Sequence, residues 1–171
     1  MPRAGFWAVG GYTISFRRDG FWYADEERIA NPRIQLLFSR GIRRDDRENA
    51  STLPRYTGWL LDVGVDRQPV TIEDTPLVVV AIDGDCEGGF LIRTNDEVSG
   101  ALECASLRIG EGDVLYCEVE REARGRLRAR FVRAAYYRLA EFVEWEGQQP
   151  VLRCQGQSYS LTCPAVAVVS L

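Results

Sequence analysis

The chain contains no histidine and no lysine, and all 21 of its cationic side chains are arginine. The absence of histidine excludes a histidine general base, a histidine metal ligand and a Ser-His-Asp triad. The absence of lysine excludes a lysine Schiff base and the lysine of a phosphate-binding P-loop. The chemistry that remains available is that of carboxylates, thiols, hydroxyls and arginine.

Long apolar runs and paired cysteines are also missing. The apolar runs, such as Leu77–Ile82 and Ala165–Val169, are far below the roughly 20 residues that span a bilayer. No long apolar segment typical of a signal peptide stands near Met1. The five cysteines are odd in number and lack C-x-x-C spacing, so they fit neither a disulfide framework nor a zinc ribbon. We therefore expect reduced thiols in a cytoplasmic protein that does not insert into a membrane.

The size and charge are those of an ordinary globular chain. Its 171 residues suffice for one domain, or two small ones, with a hydrophobic core. The 25 acidic side chains outnumber the 21 arginines, which gives a net charge of −4 and argues against a nucleic-acid partner. No motif of a cofactor or metal site stands out, so we expect no cofactor and no bound metal.

Two β-prone segments on either side of Asp19-Gly20 predict an N-terminal hairpin. A two-residue turn at this dipeptide pairs Arg17 with Trp22 across the strands, as a cation–π pair on the solvent face. In this register four side chains face the core: Ile14, Phe16, Phe21 and Tyr23.

A first helix and a series of strands follow. Asn31 suits the N-cap, Pro32 the first helical position and Gly41 the stop. The apolar stripe of this helix consists of Ile34, Leu37 and Phe38. Composition then predicts strands over residues 56–63, 69–74, 76–83 and 89–94. In the strand predicted over residues 76–83, the segment Leu77–Ile82 is apolar at both odd and even positions, so both of its faces are apolar. This pattern is typical of a central strand buried on both faces.

The C-terminal half predicts a charged hairpin over residues 114–132, a second helix and a last hairpin over residues 150–161. Across a three-residue loop, Ala123–Gly125, the charged hairpin pairs Glu118 with Arg130 on its solvent face. The second helix covers residues 133–146 and carries three acidic side chains near its C-terminal end: Glu141, Glu144 and Glu146.

These elements predict an α+β fold that is rich in antiparallel pairing, with two small sheet or roll subdomains that each carry one helix. We assign residues 1–80 to an N-terminal α+β subdomain and residues 81–171 to a C-terminal one. The second ends in an apolar tail, Pro164–Leu171, which we expect either to pack back as a strand or to meet a second subunit.

Several pieces of the chain occur together, and in the same order, in a known family. They are Arg18–Tyr23, Leu36–Ser39, Ile42–Asp45, Val70–Pro76, Arg93–Asn95 and Val132–Leu139. The chain thereby resembles the bacterial family known as domain of unknown function 1285, over roughly residues 12–161. The most specific parts of the resemblance are Ile72–Pro76 and Arg93–Asn95. The resemblance implies a two-part α+β protein, and it implies no activity because the family has no established function.

Polar side chains at two strand boundaries form the candidate site. Carboxylates that lie near an arginine and an asparagine can bind a polar ligand or take part in acid–base chemistry. We therefore predict a ligand-binding cluster of five residues: Glu73, Asp74, Arg93, Thr94 and Asn95. The same residues also fit a structural role, in which Asp74 stabilises the turn before Pro76 and Arg93 pairs with Glu73.

Two other motifs carry weaker signals. Asp83, Asp85 and Glu87 resemble the start of a calcium loop. Thr94 stands where a bidentate glutamate should close such a loop, which favours a plain acidic turn. Cys86 lies between two of these acids, and neighbouring anions raise the pKa of a thiol, so it is a poor nucleophile.

Three functions stay open at this level. The first is a non-enzymatic protein that binds a small polar ligand at the predicted cluster, or an accessory protein. The second is a carboxylate-based enzyme, with or without Mg²⁺, an ion that needs only oxygen ligands. The third is a structural or interaction module that forms a homodimer through a sheet edge or the C-terminal tail. The missing catalytic motifs favour the first, and we predict no catalytic residue.

Overall fold

The computed structural model of the chain describes residues 11–45, 58–64 and 67–162. Within these residues the fold consists of two six-stranded sheets, a three-stranded sheet and two α-helices. The predicted α+β class with two sheet subdomains, each carrying one helix, is confirmed. The prediction for the tail at Pro164–Leu171 lies outside the described residues.

The first sheet is built from the N-terminal strands. They are β1 (Ile14–Phe16), β2 (Trp22–Ala24), β3 (Glu27–Arg28), β4 (Ile42–Arg44), β5 (Trp59–Asp62) and β6 (Arg67–Ile72). Their order in the sheet is β3-β2-β1-β6-β5-β4. All neighbours are antiparallel except β1 and β6, which are parallel. The pairing of β1 with β6 therefore joins the two halves of the sheet, β3-β2-β1 and β6-β5-β4.

The N-terminal hairpin forms where predicted, but its register differs by one residue. Phe16 pairs with Trp22, and the loop between the strands includes the three residues Arg18–Gly20 rather than two. Gly20 has a φ of 86°, while Asp19 before it does not have a positive φ. A single left-handed residue at the end of the loop is typical of a three-residue hairpin, whereas the predicted two-residue turn needs two.

The changed register exchanges the residues of the two faces of β2. Trp22 becomes fully buried, whereas Phe21 and Tyr23, which we predicted in the core, are only half-buried. The guanidinium of Arg17 accordingly lies over the ring of Tyr23, at 4.0 Å from its centroid. The predicted cation–π pair between Arg17 and Trp22 is therefore wrong.

Helix α1 (Pro32–Gly41) begins as predicted. The side-chain oxygen of Asn31 accepts a hydrogen bond from the backbone N–H of Arg33, the second residue of the helix. The predicted apolar stripe holds at Phe38, which is buried, and is wrong at Leu37, which is 48% exposed. Gly41 is needed for close packing rather than for a left-handed stop. A Cβ there would lie 2.6 Å from the carbonyl oxygen of the last residue of β5.

The second sheet follows along the chain. Its strands are β7 (Leu77–Asp85), β8 (Gly89–Thr94), β9 (Ser99–Ala101), β10 (Arg108–Ile109), β11 (Leu115–Arg121) and β12 (Gly125–Phe131). They lie in the order β10-β11-β12-β7-β8-β9, with β12 and β7 parallel. Short 3₁₀ turns occupy Cys104–Ser106 and Glu111–Asp113. The predicted central strand is confirmed as β7, whose residues Leu77–Val79 are buried between β8 and β12.

The hairpin of β11 and β12 is shifted by two residues from the predicted register. Glu118 pairs with Arg128 rather than with Arg130, and the loop consists of Glu122–Arg124. A shift of two leaves every side chain on its predicted face, because side chains alternate with a period of two. The charged face therefore persists, and Arg126 contacts Glu118 diagonally across the strands.

The last elements are α2 (Arg133–Ala140), β13 (Val143–Glu146), β14 (Gln149–Cys154) and β15 (Gln157–Ser160). The predicted helix over residues 133–146 is thus too long, since its last part is a strand of the third sheet. Gly147, with a φ of 66°, turns this strand into the next rather than ending a helix. Glu144 and Glu146 consequently lie on a strand, where both form ion pairs with Arg153, at 3.3 and 3.1 Å.

One hydrophobic core runs through both large sheets, from Trp22 and Phe38 to Leu77 and Leu139. The chain passes from the first sheet to the second between β6 and β7, whereas the predicted boundary at residue 80 falls inside β7. Whether residues 1–80 and 81–171 form separate folding units stays a prediction. Neither helix of the described residues has the length and apolar character needed to cross a membrane.

Candidate functional site

A cavity of about 360 Å³ lies where the first sheet meets the second. The loop of the N-terminal hairpin and helix α1 form one side, and β7 and β8 form the other. Its apolar lining includes Phe21, Ile29, Ala30, Leu36, Val78, Val80 and Val132. Its polar lining includes three of the five predicted site residues: Arg93, Thr94 and Asn95.

Glu73 holds the hairpin loop that forms one wall of the cavity. Its carboxylate accepts a hydrogen bond from the backbone N–H of Arg18, at 2.9 Å. The loop also approaches β7 closely, because a Cβ added at Gly20 would lie 3.4 Å from a methyl group of Val78. Glu73 does not line the cavity itself. Its contacts make it a residue that positions the wall.

Ser39 joins helix α1 to both sheets. Its hydroxyl accepts hydrogen bonds from the indole N–H of Trp22, at 3.0 Å, and from the side-chain amide of Asn95, at 2.8 Å. It donates to the carbonyl oxygen of Gln35, at 2.9 Å. The side-chain oxygen of Asn95 accepts from the backbone N–H of Val78 in turn. The polar wall of the cavity is therefore fixed by bonds within the protein, which keeps it in place without a ligand.

A buried charged network stands behind this wall. Asp96 is fully buried, and its carboxylate accepts hydrogen bonds from Arg121 at 2.9 Å, from Arg124 at 2.6 Å and from the hydroxyl of Thr94 at 2.5 Å. The two guanidinium groups are themselves about nine-tenths buried. Arg124 also donates to the carbonyl oxygen of Ser39, at 2.9 Å, so the network crosses from the second sheet to α1.

The pKa of Asp96 is the outcome of two opposing effects. Burial acts to raise the pKa, because it penalises the charged form. Hydrogen bonds from Arg121 and Thr94, the positive charge of Arg121 and a hydrogen bond from Arg124 act the other way and outweigh it. The pKa of Asp96 is therefore held below its ordinary value, and the carboxylate is charged at neutral pH.

Two arginines at the cavity carry no counter-ion. The guanidinium of Arg93, on β8, makes no side-chain hydrogen bond or ion pair with any residue within the described ranges. The guanidinium of Arg28 stacks over the ring of Phe21, at 3.3 Å from its centroid, and likewise has no carboxylate partner there. The acids at the cavity are engaged elsewhere, since Asp19 accepts from the hydroxyl of Tyr23 at 2.6 Å.

Asp74 belongs to a different contact. Its carboxylate accepts hydrogen bonds from the hydroxyl of Tyr116, at 3.0 and 3.2 Å, and lies 3.7 Å from the guanidinium of Arg130. Burial raises the pKa of the Tyr116 hydroxyl, and the hydrogen bond to Asp74 raises it further. The structure thus brings Arg93, Thr94 and Asn95 to the cavity and directs Glu73 and Asp74 to other partners.

Sequence reasoning missed the charged network. Arg121 has the same strand parity as the buried Cys117 and Val119, so its side chain had to point to the core. That parity is a usable signal for a buried arginine, which in turn needs a buried carboxylate. Nothing local identifies Asp96 as that carboxylate or Arg124 as its second partner.

The acidic turn after β7 is a plain turn, as the closing threonine indicated. The carboxylate of Asp85 accepts hydrogen bonds from the backbone N–H groups of Glu87 and Gly88, at 2.9 and 2.7 Å. Within the part of the chain that the structure describes, no three cysteine, aspartate or glutamate side chains form a group that could hold a metal ion.

Comparisons with known proteins give structural neighbours. No protein-family model matches the sequence, and no curated protein matches it. A DUF1285 (domain of unknown function 1285) family protein from Silicibacter pomeroyi DSS-3 superimposes with a TM-score of 0.58 and 21% identity, over 88% of this chain and 79% of that one. A DUF1285 family protein from Shewanella baltica OS155 superimposes with a TM-score of 0.54 and 18% identity, over 77% of this chain and 92% of that one.

Identities this low establish a likeness of fold and carry no activity from one protein to another. The two superpositions extend over 88% and 77% of this chain. The resemblance that the sequence pieces predicted is confirmed at this level. In its fold, the chain is similar to proteins of the DUF1285 family.

Proposed function

We propose that the protein binds a small molecule in the cavity between its two large sheets and does not catalyse a reaction there. The observation that carries this proposal is a cavity of about 360 Å³ with an apolar lining and a polar wall held by internal hydrogen bonds. Ligand sites in proteins are largely preformed, mostly apolar and typically about 300–1,000 Å³ in volume. The cavity lies at the lower end of that range, which favours a compact ligand.

Three of the predicted site residues take part in this proposal. Arg93 provides a charge at the cavity that has no ion-pair partner among the described residues, and Thr94 and Asn95 contribute to the cavity wall. Glu73 and Asp74 contribute indirectly, because Glu73 positions the hairpin loop and Asp74 contacts Tyr116 of the second sheet. The alternative of a carboxylate-based enzyme has less support, because these two carboxylates bind different groups of the protein.

We place the protein in the bacterial cytoplasm. Four of its cysteines are free thiols in the structure: Cys86, Cys104, Cys117 and Cys154. Such thiols persist in the reducing conditions of that compartment, whereas secreted chains of this size use cysteines as disulfides.

The test is a fragment screen followed by two-dimensional ¹H-¹⁵N NMR on the full chain. We expect binding fragments to shift the amide signals of Val78, Val80 and Asn95, which line the cavity. Hits whose shifts cluster at another surface, or a screen without any hit at millimolar concentration, would overturn the proposal.

Two variants separate occupation of the cavity from binding elsewhere. Val80→Phe and Ala30→Phe each place a larger side chain in the cavity lining, one on β7 and one before α1, and both should abolish fragment binding. The matched control is Leu91→Phe, a half-exposed position on β8 outside the lining, which should bind as the natural protein does. The control variant also shows whether an added phenyl group alone disturbs the fold.

A second copy of the chain as a partner stays a prediction. Light scattering of the full chain against a chain that ends at Leu161 tests it, because the apolar tail is then removed. Two monomers would exclude the dimer, and a dimer that is lost on truncation would support it.

A further inference from the structure

The charged side chains of the cavity lining, two arginines and two acids, differ in how their hydrogen-bonding groups are used. On the wall itself, Arg28 and Arg93 have no carboxylate partner within the described residues. Of the two acids in the lining, Asp19 binds the Tyr23 hydroxyl and Glu97 lies 3.8 Å from the guanidinium of Arg40. Among the described residues, Arg28 and Arg93 are therefore the charged groups of the lining that have no hydrogen-bond or ion-pair partner for their N–H groups.

The network behind the wall supplies an excess of positive charge. It contains two guanidinium groups, from Arg121 and Arg124, and one carboxylate, from Asp96, so it carries one net positive charge. It touches the cavity lining directly, because Arg121 donates to the hydroxyl of Thr94 and Arg124 to the carbonyl oxygen of Ser39. A buried charge is screened less than an exposed one, so its field extends into the cavity.

The position of Arg28 leaves its hydrogen-bonding edge available. The face of the guanidinium is occupied by the ring of Phe21, but stacking does not use the N–H groups, which lie in the guanidinium plane. A planar guanidinium presents two parallel N–H groups to a carboxylate or phosphate oxygen pair. The stacked ring also restricts the rotamers of Arg28, which reduces the entropy lost when a ligand binds.

We infer that the ligand of this cavity is a small organic anion, whose charged group binds Arg28 and Arg93 and whose apolar body lies against Val78, Val80 and Leu36. This inference rests on the proposed function, because it names the class of molecule that the cavity binds. Carboxylates and phosphate monoesters share the required chemistry, since both offer oxygen pairs to a guanidinium.

The experiment compares probes that have the same apolar body and different charge. Phenylacetate is an anion, phenylacetamide is its neutral analogue, phenethylamine is a cation, and phenyl phosphate carries the alternative anionic group. Each is titrated into the ¹⁵N-labelled full chain at low ionic strength, and the amide shifts of the cavity residues give the dissociation constant. A repeat at physiological ionic strength measures how far salt screens the interaction.

We expect phenylacetate to bind about tenfold more tightly than phenylacetamide, because a hydrogen bond to a charged group is stronger than one between neutral groups. Phenethylamine should bind least. Arg28→Gln and Arg93→Gln should each reduce the preference for the anion by about threefold, and the double variant should abolish it. Arg33→Gln is the matched control, since Arg33 is exposed on α1 and does not line the cavity.

The outcomes distinguish this inference from the proposed function. Equal binding of phenylacetate and phenylacetamide in the cavity would overturn the inference that the ligand is an anion, but it would leave the proposed binding function intact. An anion preference that survives in the double variant would also overturn the assignment to these two arginines. Shifts confined to another surface would overturn both the inference and the proposed function. If the natural protein prefers phenylacetate or phenyl phosphate and the double variant loses that preference, the inference is supported. The tighter of the two probes then shows whether the cavity binds a carboxylate or a phosphate group.

Discussion

Removal of the buried charge of Asp96 should be among the most destabilising single substitutions in this chain. The carboxylate is fully buried and binds two guanidinium groups that are about nine-tenths buried. Asp96→Asn keeps the shape of the side chain but leaves both arginines without a counter-ion and directs an N–H group at one of them. Breaking a buried ion pair by removing one partner costs about 3–5 kcal/mol.

The assay is unfolding by urea and by heat. For a chain of this size each kcal/mol lowers the melting temperature by about 2–4 °C, so Asp96→Asn should lower it by about 6–20 °C. The control is Asp83→Asn, an exposed aspartate on β7 without a side-chain partner among the described residues, which should change the stability by less than about 0.5 kcal/mol. Equal and small effects of the two substitutions would refute the reasoning.

The pH dependence gives a second readout of the same group. The pKa of Asp96 is lower in the folded protein than its ordinary value of 3.8, which stands for the unfolded chain. The folded state therefore binds fewer protons at this residue than the unfolded state does. Its contribution to stability is present above that value and is lost as the pH falls towards the folded-state pKa. Asp96→Asn should flatten this part of the stability profile, and an unchanged slope would contradict the assignment.

Trp22→Phe keeps most of the buried ring but removes the hydrogen bond to a serine hydroxyl of α1, and it should cost about 1–3 kcal/mol in a urea titration; an unchanged midpoint would contradict this. Gly41→Ala places a methyl group 2.6 Å from a carbonyl oxygen of β5 and should cost about 1–3 kcal/mol. Gly100→Ala, which meets no atom within 4 Å, is its control and should cost clearly less. Burial raises the pKa of the Cys117 thiol to about 12 and also raises that of Cys86, but Cys86 is only half-buried, so iodoacetamide should modify Cys86 before the buried Cys117, as peptide mass spectrometry would measure. Equal modification of both thiols in the folded protein would be inconsistent with the structure.

Elements with strong local chemistry could be predicted from the sequence. Asn31 and Pro32 start α1 because their side chains satisfy or avoid the free N–H groups of the first turn. Leu77–Ile82 forms a central strand because it is apolar on both parities. Each of these signals lies within a few residues of the element that it specifies.

Registers could not be predicted in the same way. Around Gly20 a two-residue and a three-residue loop differ by one residue, and both place a glycine where a left-handed conformation is needed. The choice is made by tertiary packing, which buries Trp22 against Phe16 and Phe38. The helix predicted over residues 133–146 is likewise cut short by the pairing of β13 with β14.

The sequence predicted only part of the candidate site, because some of its contacts are local and others join distant parts of the chain. Arg93 and Thr94 end β8 and Asn95 follows it directly, so the sequence could place these three residues together at one strand boundary. The partners of Glu73 and Asp74 come from other parts of the chain, Arg18 and Tyr116, and no local pattern identifies them. Long-range contacts of this kind depend on the folded arrangement of both sheets.

The parallel pairing of β1 with β6 also has a consequence for the order of folding. Ser15 pairs with Thr71, so a long loop must close before this contact forms, whereas the hairpins β7–β8 and β11–β12 close over short loops. We expect the two local hairpins to gain protection first in pulse-labelled hydrogen exchange and β1 to gain it late. Because the loop after β1 forms one wall of the cavity, we expect the complete site to form only after this late pairing of β1 with β6. A ligand bound in the cavity should slow unfolding and leave the folding rate nearly unchanged.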